Sequence, residues 1–181
     1  MATKKSGSQP LALEMLTTDH EAVKKLFKQY DKQKDADDES RRDTAEKICN
    51  ELTVHAEVEE ELFYPWLREN LSEDDMELVD EAGVEHQTAK DLISQIEDAE
   101  ALDDEFDAKV KVLGEYIDHH VEEEENEIFP KVKSKKDELD ALGEEMMARK
   151  VELKEELGMD DDEEPADRKG GKGAPSQPRT R

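Results

Sequence analysis

The sequence predicts an all-α protein, an antiparallel up-down four-helix bundle with an additional C-terminal helix. Apolar residues recur at helical spacing through most of the chain, and an alternating strand pattern is almost missing. Only 34% of the residues are hydrophobic and 4% are aromatic, which suffices where each element buries one narrow apolar stripe. The long predicted helices are joined by short polar loops, and this favours antiparallel neighbours.

The first predicted helix begins at Pro10, which opens a run of apolar residues at helical spacing that reaches Tyr30. It ends in the polar loop DKQKDADDES, residues 31–40. The second helix is predicted over about 41–70.

The third helix is predicted to start after Ser72, which with Asp75 three residues later forms a near capping box, and to reach about residue 100. The fourth is predicted over about 104–133, with Pro130 interrupting its last turn. A fifth amphipathic helix is predicted over about 137–157, and Gly158 ends it.

These elements divide the chain into four regions. We expect a disordered N-terminus over 1–9, the four-helix bundle over 10–134, the C-terminal amphipathic helix over 135–158 and a disordered tail over 159–181, which is rich in Gly, Pro and charge. The fifth helix is expected to dock outside the bundle or to contact a partner.

Charge and composition exclude several classes of protein. With 52 acidic and 26 basic residues the formal net charge is −26, and a body this acidic repels phosphate backbones, so no nucleic-acid partner is expected. No stretch approaches the length of a membrane span. The N-terminal MATKKSGSQP lacks the apolar part of a secretory signal, so we expect a cytoplasmic protein. A single cysteine, Cys49, excludes an internal disulfide.

An internal repeat is the most informative feature. Residues 55–65 read HAEVEEELFYP and residues 120–130 read HVEEEENEIFP, at an offset of 65. The preceding helices also match, since DHEAVKKLF at 19–27 corresponds to EHQTAKDLI at 85–93. Two helical hairpins of one design, each with a histidine on its first helix and H-x-x-x-E on its second, predict a pseudo-twofold bundle.

The repeat places six candidate metal ligands near the middle of the four predicted helices. They are His20, His55, Glu59, His86, His120 and Glu124. Side chains four residues apart lie on one helix face, so inward-facing copies from all four helices meet at one level. A buried cluster of this kind without metal would leave several polar groups unsatisfied.

Imidazole with carboxylate is a donor set that suits first-row transition metals. The lack of thiolate disfavours iron–sulfur clusters and Cys-based zinc sites, and the abundance of imidazole disfavours calcium and magnesium. A glutamate that bridges two ions favours a di-iron or di-manganese pair. His119, next to His120, points about 100° away on a helix and is expected to be exposed.

In these residues the chain resembles the hemerythrin-like, HHE cation-binding domains. The resemblance covers roughly residues 11–133 and rests on the ordered histidines with Glu59 and Glu124, followed by FYP and IFP. It implies a four-helix bundle that holds two non-heme iron ions, oxo- or hydroxo-bridged. The four histidines are then terminal ligands, and the two glutamates are bridging carboxylates.

One departure from the resemblance concerns the third helix. Oxygen-carrying hemerythrins have a second histidine one turn after the first, and here that position is Lys90. A seventh donor is expected from Glu51, Tyr116, Glu123 or water, and Lys90 is expected to turn outward. Reversible oxygen carriage is therefore not the expected activity.

Several functions remain open from the sequence. The leading hypothesis is a di-iron protein that binds or senses oxygen or a related small molecule such as nitric oxide or peroxide. The alternatives are a peroxide-decomposing di-iron enzyme, an iron handling or delivery protein, and an interaction module that uses the fifth helix.

Overall fold

The computed structural model describes residues 9–33 and 36–159, and these are all-α, without a strand. Helix α1 spans Leu11–Lys32, α2 Asp38–Val58, α3 Tyr64–Asn70, α4 Met76–Glu97, α5 Asp104–Glu123, α6 Phe129–Val132 and α7 Lys136–Glu156. A 3-10 turn, Glu73–Asp75, leads into α4. The predicted disordered ends lie outside the described residues, except for Gln9 and Met159.

The helix starts follow from local capping. The Asp37 carboxylate accepts the Ser40 backbone N–H, so α2 begins three residues before the predicted start. The Asp103 carboxylate caps α5 in the same way. The Ser72 hydroxyl instead donates to the Asp75 carboxylate at 2.6 Å, which places a 3-10 turn where the sequence predicted an α-helical one.

Two π-helical segments interrupt the second and fourth predicted helices, Glu59–Phe63 between α2 and α3, and Glu124–Ile128 between α5 and α6. Each ends just before a proline, Pro65 or Pro130. Proline has no N–H and its ring crowds the carbonyl four residues earlier, which disfavours a regular α-helical turn at this point. The Tyr64 N–H accordingly bonds the Glu59 carbonyl, five residues back.

The long helices pack pairwise. Helix α1 packs along α2 and α4 along α5, while α2 also contacts α4 and α1 contacts α5. Two apolar clusters fill the interior, one around Phe63, Leu67 and Met146 and the other around Ile48, Phe106 and Leu113. None of the described helices is both long and apolar enough to cross a membrane.

Helix α7 is an integral part of the first cluster, to which it contributes Leu139, Leu142, Met146 and Leu153. It packs mainly on α1 and also on α2. The Asp140 carboxylate accepts the Leu11 N–H at 2.8 Å, so α7 caps the N-terminus of α1. Gly158, at φ 64°, ends the helical region as predicted.

Gly143 allows the close approach of α7 to α1. A Cβ at this position would lie 2.5 Å from the Ala12 nitrogen and 2.8 Å from the Leu11 carbonyl carbon. Because these are backbone atoms, Gly143→Ala should force the helices apart and destabilise the fold by about 1–3 kcal/mol. Chemical unfolding measures this, with Gly83→Ala as the control.

Gly83 is exposed in the middle of α4, and a Cβ there would meet nothing within 4 Å. Its replacement by alanine should stabilise the protein by about 0.5–1 kcal/mol, because alanine favours the helix over glycine. Equal effects of the two substitutions would contradict the close packing of α7 on α1.

Candidate metal centre

The structure brings the six candidate ligands of the sequence analysis together in the interior. All six side chains are buried, and Glu59 and Glu124 are completely inaccessible. His20 comes from α1, His55 from α2, His86 from α4 and His120 from α5. Each glutamate is the first residue of a π-helical segment, one turn after a histidine.

The ligand atoms form two groups, within each of which they lie no more than 4.8 Å apart. Position A is formed by His20, His55, Glu59 and Glu124, and position B by Glu59, His86 and His120. Glu59 belongs to both: one of its oxygens, Oε2, is 3.2 Å from His55 Nε2 and 3.3 Å from His86 Nε2. Glu59 therefore lies between the histidines of the two groups.

Several atoms at this centre are buried without a hydrogen-bond partner. They are Nε2 of His20, Nε2 of His55, both carboxylate oxygens of Glu59 and Oε2 of Glu124. Buried polar atoms are paired in nearly all proteins, since an unpaired one costs about 1–3 kcal/mol. Converging imidazole nitrogens and carboxylate oxygens with no protein partner are a donor set that fits transition-metal ions.

Outside the centre, every one of these histidines faces a second carboxylate through Nδ1. The separations are 2.9 Å for His20 to Glu125, 3.1 Å for His86 to Glu60 and 2.7 Å for His120 to Glu85. His55 Nδ1 lies 3.6 Å from Asp19 Oδ2. A carboxylate on Nδ1 favours the tautomer whose Nε2 lone pair points to the metal.

These outer acids were not predicted from the sequence. A signal was present, because the acids obey the same repeat as the ligands. Asp19 and Glu85 each immediately precede a histidine, and Glu60 and Glu125 each immediately follow a glutamate of the centre.

A tyrosine also reaches the centre. The Tyr64 hydroxyl donates to Glu124 Oε1 at 3.1 Å and lies 3.0 Å from His86 Nε2. In an α-helix Tyr64 would lie about 140° around the axis from Glu59, five residues earlier. The π turn closes over those five residues and brings the two onto the same face.

The three side chains expected as a seventh donor lie outside both ligand groups, and water stays a prediction. Glu51 pairs with Lys154 at 2.7 Å and Glu123 with the exposed His119 at 3.3 Å. Tyr116 is partly exposed and belongs to neither ligand group. Tyr64 is the further side chain that contacts the centre, through its hydroxyl.

A known protein family matches most of this chain. The model of the hemerythrin HHE cation-binding domain matches residues 11–132. The chain belongs to this family. The match spans α1 to α6, and therefore both hairpins and all six candidate ligands of the HHE domain.

One curated relative is a DNA nickase of Nostoc sp. (strain PCC 7120 / SAG 25.82 / UTEX 2576), 29% identical over 160 residues. The alignment covers 86% of this chain and 44% of the relative, so the chain spans less than half the length of that protein. No solved structure matches the chain significantly.

Burial and neighbouring charges shift the pKa values of several groups at the centre of the HHE domain. Burial opposes the charged form of His55, but Glu59 and Asp19 raise its pKa well above the usual value. Burial likewise opposes ionisation of Glu59, yet His55 and His86 hold its pKa well below the usual range. Burial and the carboxylates Glu124 and Glu59 raise the pKa of Tyr64 well above 10, so its phenol keeps the proton.

Lys90 turns away from the centre of the HHE domain, in the direction expected from the sequence. Its Nζ lies 2.7 Å from Glu60 Oε2, while Glu60 Oε1 faces His86 Nδ1. Its side chain is 34% exposed. Lys90 thus supports a histidine of the centre through Glu60 instead of occupying a ligand position.

His119 tests the helical register of α5. Its side chain is 60% exposed, against 3% for His120, and with Glu85 and Glu123 it forms a third acid–histidine group at the surface. His119→Ala should leave the metal content of the HHE domain unchanged, whereas His120→Ala should empty position B. Elemental analysis after dialysis checks this, and the reverse pattern would show that the register is shifted by one residue.

Proposed function

We propose that this protein is a non-heme di-iron protein that binds or senses oxygen or a related small molecule, such as nitric oxide or peroxide. The iron pair lies inside an antiparallel up-down four-helix bundle to which α7 is added. The observation that carries this proposal is the set of buried, unpaired imidazole and carboxylate atoms contributed by four helices. Membership of a cation-binding family supports it independently.

Residues of both hairpins would hold the two ions. His20 and His55 would bind the ion at position A and His86 and His120 the ion at position B, while Glu59 and Glu124 would bridge the two ions. Bound iron would supply the one-electron and oxygen chemistry that side chains lack. The chain's own part is to fix the imidazole tautomers through the outer carboxylates and to exclude water with the surrounding apolar residues.

The space beside the histidines supports a small ligand. A cavity of about 20 Å³ lies between the four histidines and an apolar wall that includes Val23, Leu52, Ala89, Ile93 and Ile117. A single water needs roughly 10–15 Å³ of such volume. The cavity therefore suits a molecule of one or two heavy atoms and is too small for an organic substrate.

Peroxide breakdown is a second candidate, which one observation favours. The Tyr64 hydroxyl carries its proton next to Glu124 and His86, and Phe129 holds the corresponding place in the other hairpin, stacked 6.2 Å from His20. Tyr64 is therefore placed to give its proton to one oxygen as the oxygen–oxygen bond of peroxide breaks, which favours breakdown over storage.

The nickase activity of the Nostoc relative is not part of this proposal. The matched region is less than half of that protein. A chain with a net charge of −26 also repels the phosphates of DNA.

Metal analysis tests the proposed function. The full chain, made with ample iron, should contain about two irons and show the charge-transfer absorption of a bridged ferric pair. Stoichiometric zinc, or no transition metal, would overturn the proposal. Oxygen, nitric oxide and peroxide are then added separately to the reduced protein, and the consumption of each identifies the ligand.

Tyr64→Phe separates peroxide turnover from binding. A positioned proton donor contributes typically about 10²–10⁴-fold to a rate, so peroxide consumption should fall by about two orders of magnitude while two irons remain bound. Tyr116→Phe, on the partly exposed face of α5, is the matched control. Unchanged consumption in Tyr64→Phe would limit Tyr64 to holding Glu124 in place.

A further inference from the structure

Helix α7 reaches the metal centre through one side chain. Lys150 Nζ donates to Oδ1 of Asp19, and the other oxygen of Asp19 faces His55 Nδ1 at 3.6 Å. Asp19 Oδ2 and His55 Nδ1 are both buried, and neither has a hydrogen-bond partner. The orientation of the His55 ring within position A therefore depends on Asp19, and the orientation of Asp19 depends on α7.

The packing of α7 fixes the register of this contact. Gly143 lies against the backbone of Leu11 and Ala12, and Lys150 follows Gly143 by seven residues, about two helical turns. Asp19 follows Ala12 by the same number of residues on α1. The close approach at Gly143 thus places Lys150 beside Asp19 two turns further along both helices.

The other hairpin has no such arrangement. Glu85 corresponds to Asp19 in the repeat, and it bonds His120 Nδ1 directly at 2.7 Å. Near its second oxygen lies Nε2 of the exposed His119, 3.9 Å away. Helix α7 lies outside the repeat, and its Lys150 contacts the outer partner of His55, a residue of position A.

We propose that Lys150 is a positioning residue for His55, by which the docking of α7 controls the affinity of position A for its metal ion. This inference rests on the proposed di-iron function and deepens it. The ammonium holds Asp19 with Oδ2 towards Nδ1 of His55, and that contact keeps Nε2 of His55 directed at Glu59. Without the ammonium, Asp19 is free to turn to solvent and the ring loses its outer partner.

The test compares two lysines of α7. Lys150→Met removes the ammonium but keeps an apolar stem. Lys154→Met is the matched control, because Lys154 pairs with Glu51 at 2.7 Å on the same side of α7 and is similarly exposed, 23% against 20%. Each full-length variant is loaded anaerobically with ferrous iron and titrated with a coloured ferrous chelator. Unfolding of the metal-free proteins is measured in parallel.

We expect Lys150→Met to weaken one of the two iron equivalents by about 10–100-fold, the usual effect of losing an outer partner of a ligand. Lys154→Met should behave as the unmodified chain, and Lys150→Arg should restore the affinity. Combined with Asp19→Asn, Lys150→Met should add nothing to the effect of Asp19→Asn alone, because both act through one contact. The metal-free Lys150→Met and Lys154→Met proteins should unfold alike.

Three results would overturn this inference: equal iron affinities in Lys150→Met and Lys154→Met, equal weakening of both equivalents in Lys150→Met, or additivity with Asp19→Asn. If the unmodified chain binds no iron, the proposed function itself fails, and this inference with it. If the unmodified chain and Lys150→Met both bind two iron equivalents tightly, the role of Lys150 is overturned and the proposed function is not.

Discussion

Replacing Glu59 by glutamine is expected to remove both metal ions. Glu59 belongs to both ligand groups, and neither of its oxygens has a hydrogen-bond partner. An amide has the shape of the carboxylate but no charge, so it cannot bridge two cations. Iron content should fall from about two per chain to nearly none.

The same substitution should not destabilise the metal-free protein. Without metal, a completely buried carboxylate must be balanced by charged histidines, and such an arrangement is often no more stable than a neutral one. Glu59→Gln should therefore unfold at the same denaturant concentration as the metal-free unmodified chain, or at a higher one. A lower midpoint would point to a structural role for the carboxylate.

Glu124→Gln and Glu122→Gln complete this comparison. Glu124 is inaccessible and belongs to position A, while its Oε1 accepts from Tyr64 beside position B. We expect the Glu124→Gln variant to lose both ions. Glu122, two residues earlier, is exposed, and its replacement should leave both ions bound. Retention of one ion by Glu124→Gln would restrict the bridging role to Glu59.

Removing the metal should lower the melting temperature by about 15–30 °C. Ligands from four helices are held by the ions, and each site filled at a thousand times its dissociation constant stabilises a fold by about 4 kcal/mol, so that two sites contribute about 8 kcal/mol. For a chain of this size each kcal/mol corresponds to roughly 2–4 °C. Thermal unfolding with and without a chelator measures this shift, and an unchanged melting temperature would show that the metal does not tie the hairpins together.

The stability of the metal-free protein and the stabilisation added by metal should change in opposite directions as the pH rises. Burial opposes charge on His86, but the nearby carboxylates of Glu59 and Glu60 raise its pKa to about 9 in the metal-free fold. Tyr64 and His120 also face this ring. A raised folded-state pKa stabilises the fold fully below the unfolded value, about 6.5, and this contribution is lost as the pH rises through 9.

Metal binding requires the neutral imidazole, so the affinity for metal should rise over the same interval. Between pH 6.5 and 9 the metal-free protein should therefore lose stability while the stabilisation added by metal grows. Chelator titrations and chemical unfolding at several pH values measure both trends. Parallel trends would contradict the assignment of His86 as a ligand.

Much of the site could be predicted because the two copies of the internal repeat are recognisable from the sequence. H-x-x-x-E places a histidine and a glutamate on one helix face, and two copies with their preceding histidines define six inward positions. The structure brings these same six residues together. Helical spacing also predicted the five helical stretches, although capping by Asp37 moved the start of the second.

The two prolines were visible in the sequence, but the π turns that accompany them could not be predicted. Pro65 and Pro130 indicate an interruption, yet sequence spacing does not show whether a helix kinks, ends or adds a residue to its turn. The structure inserts a π turn in both hairpins. Because α-helical spacing no longer holds in the π segment, Tyr64 reaches the centre, which that spacing did not predict.

The sequence by itself determined the all-α class, the repeat and the identity of the six central residues, because helical periodicity is a local property. Only the tertiary structure decided which acids face the outer nitrogens of the histidines and where α7 lies. Both depend on contacts between helices distant in the chain, such as Glu125 with His20 or Lys150 with Asp19. In a chain with 52 acidic residues, local pattern does not distinguish a solvated carboxylate from one held against a buried histidine.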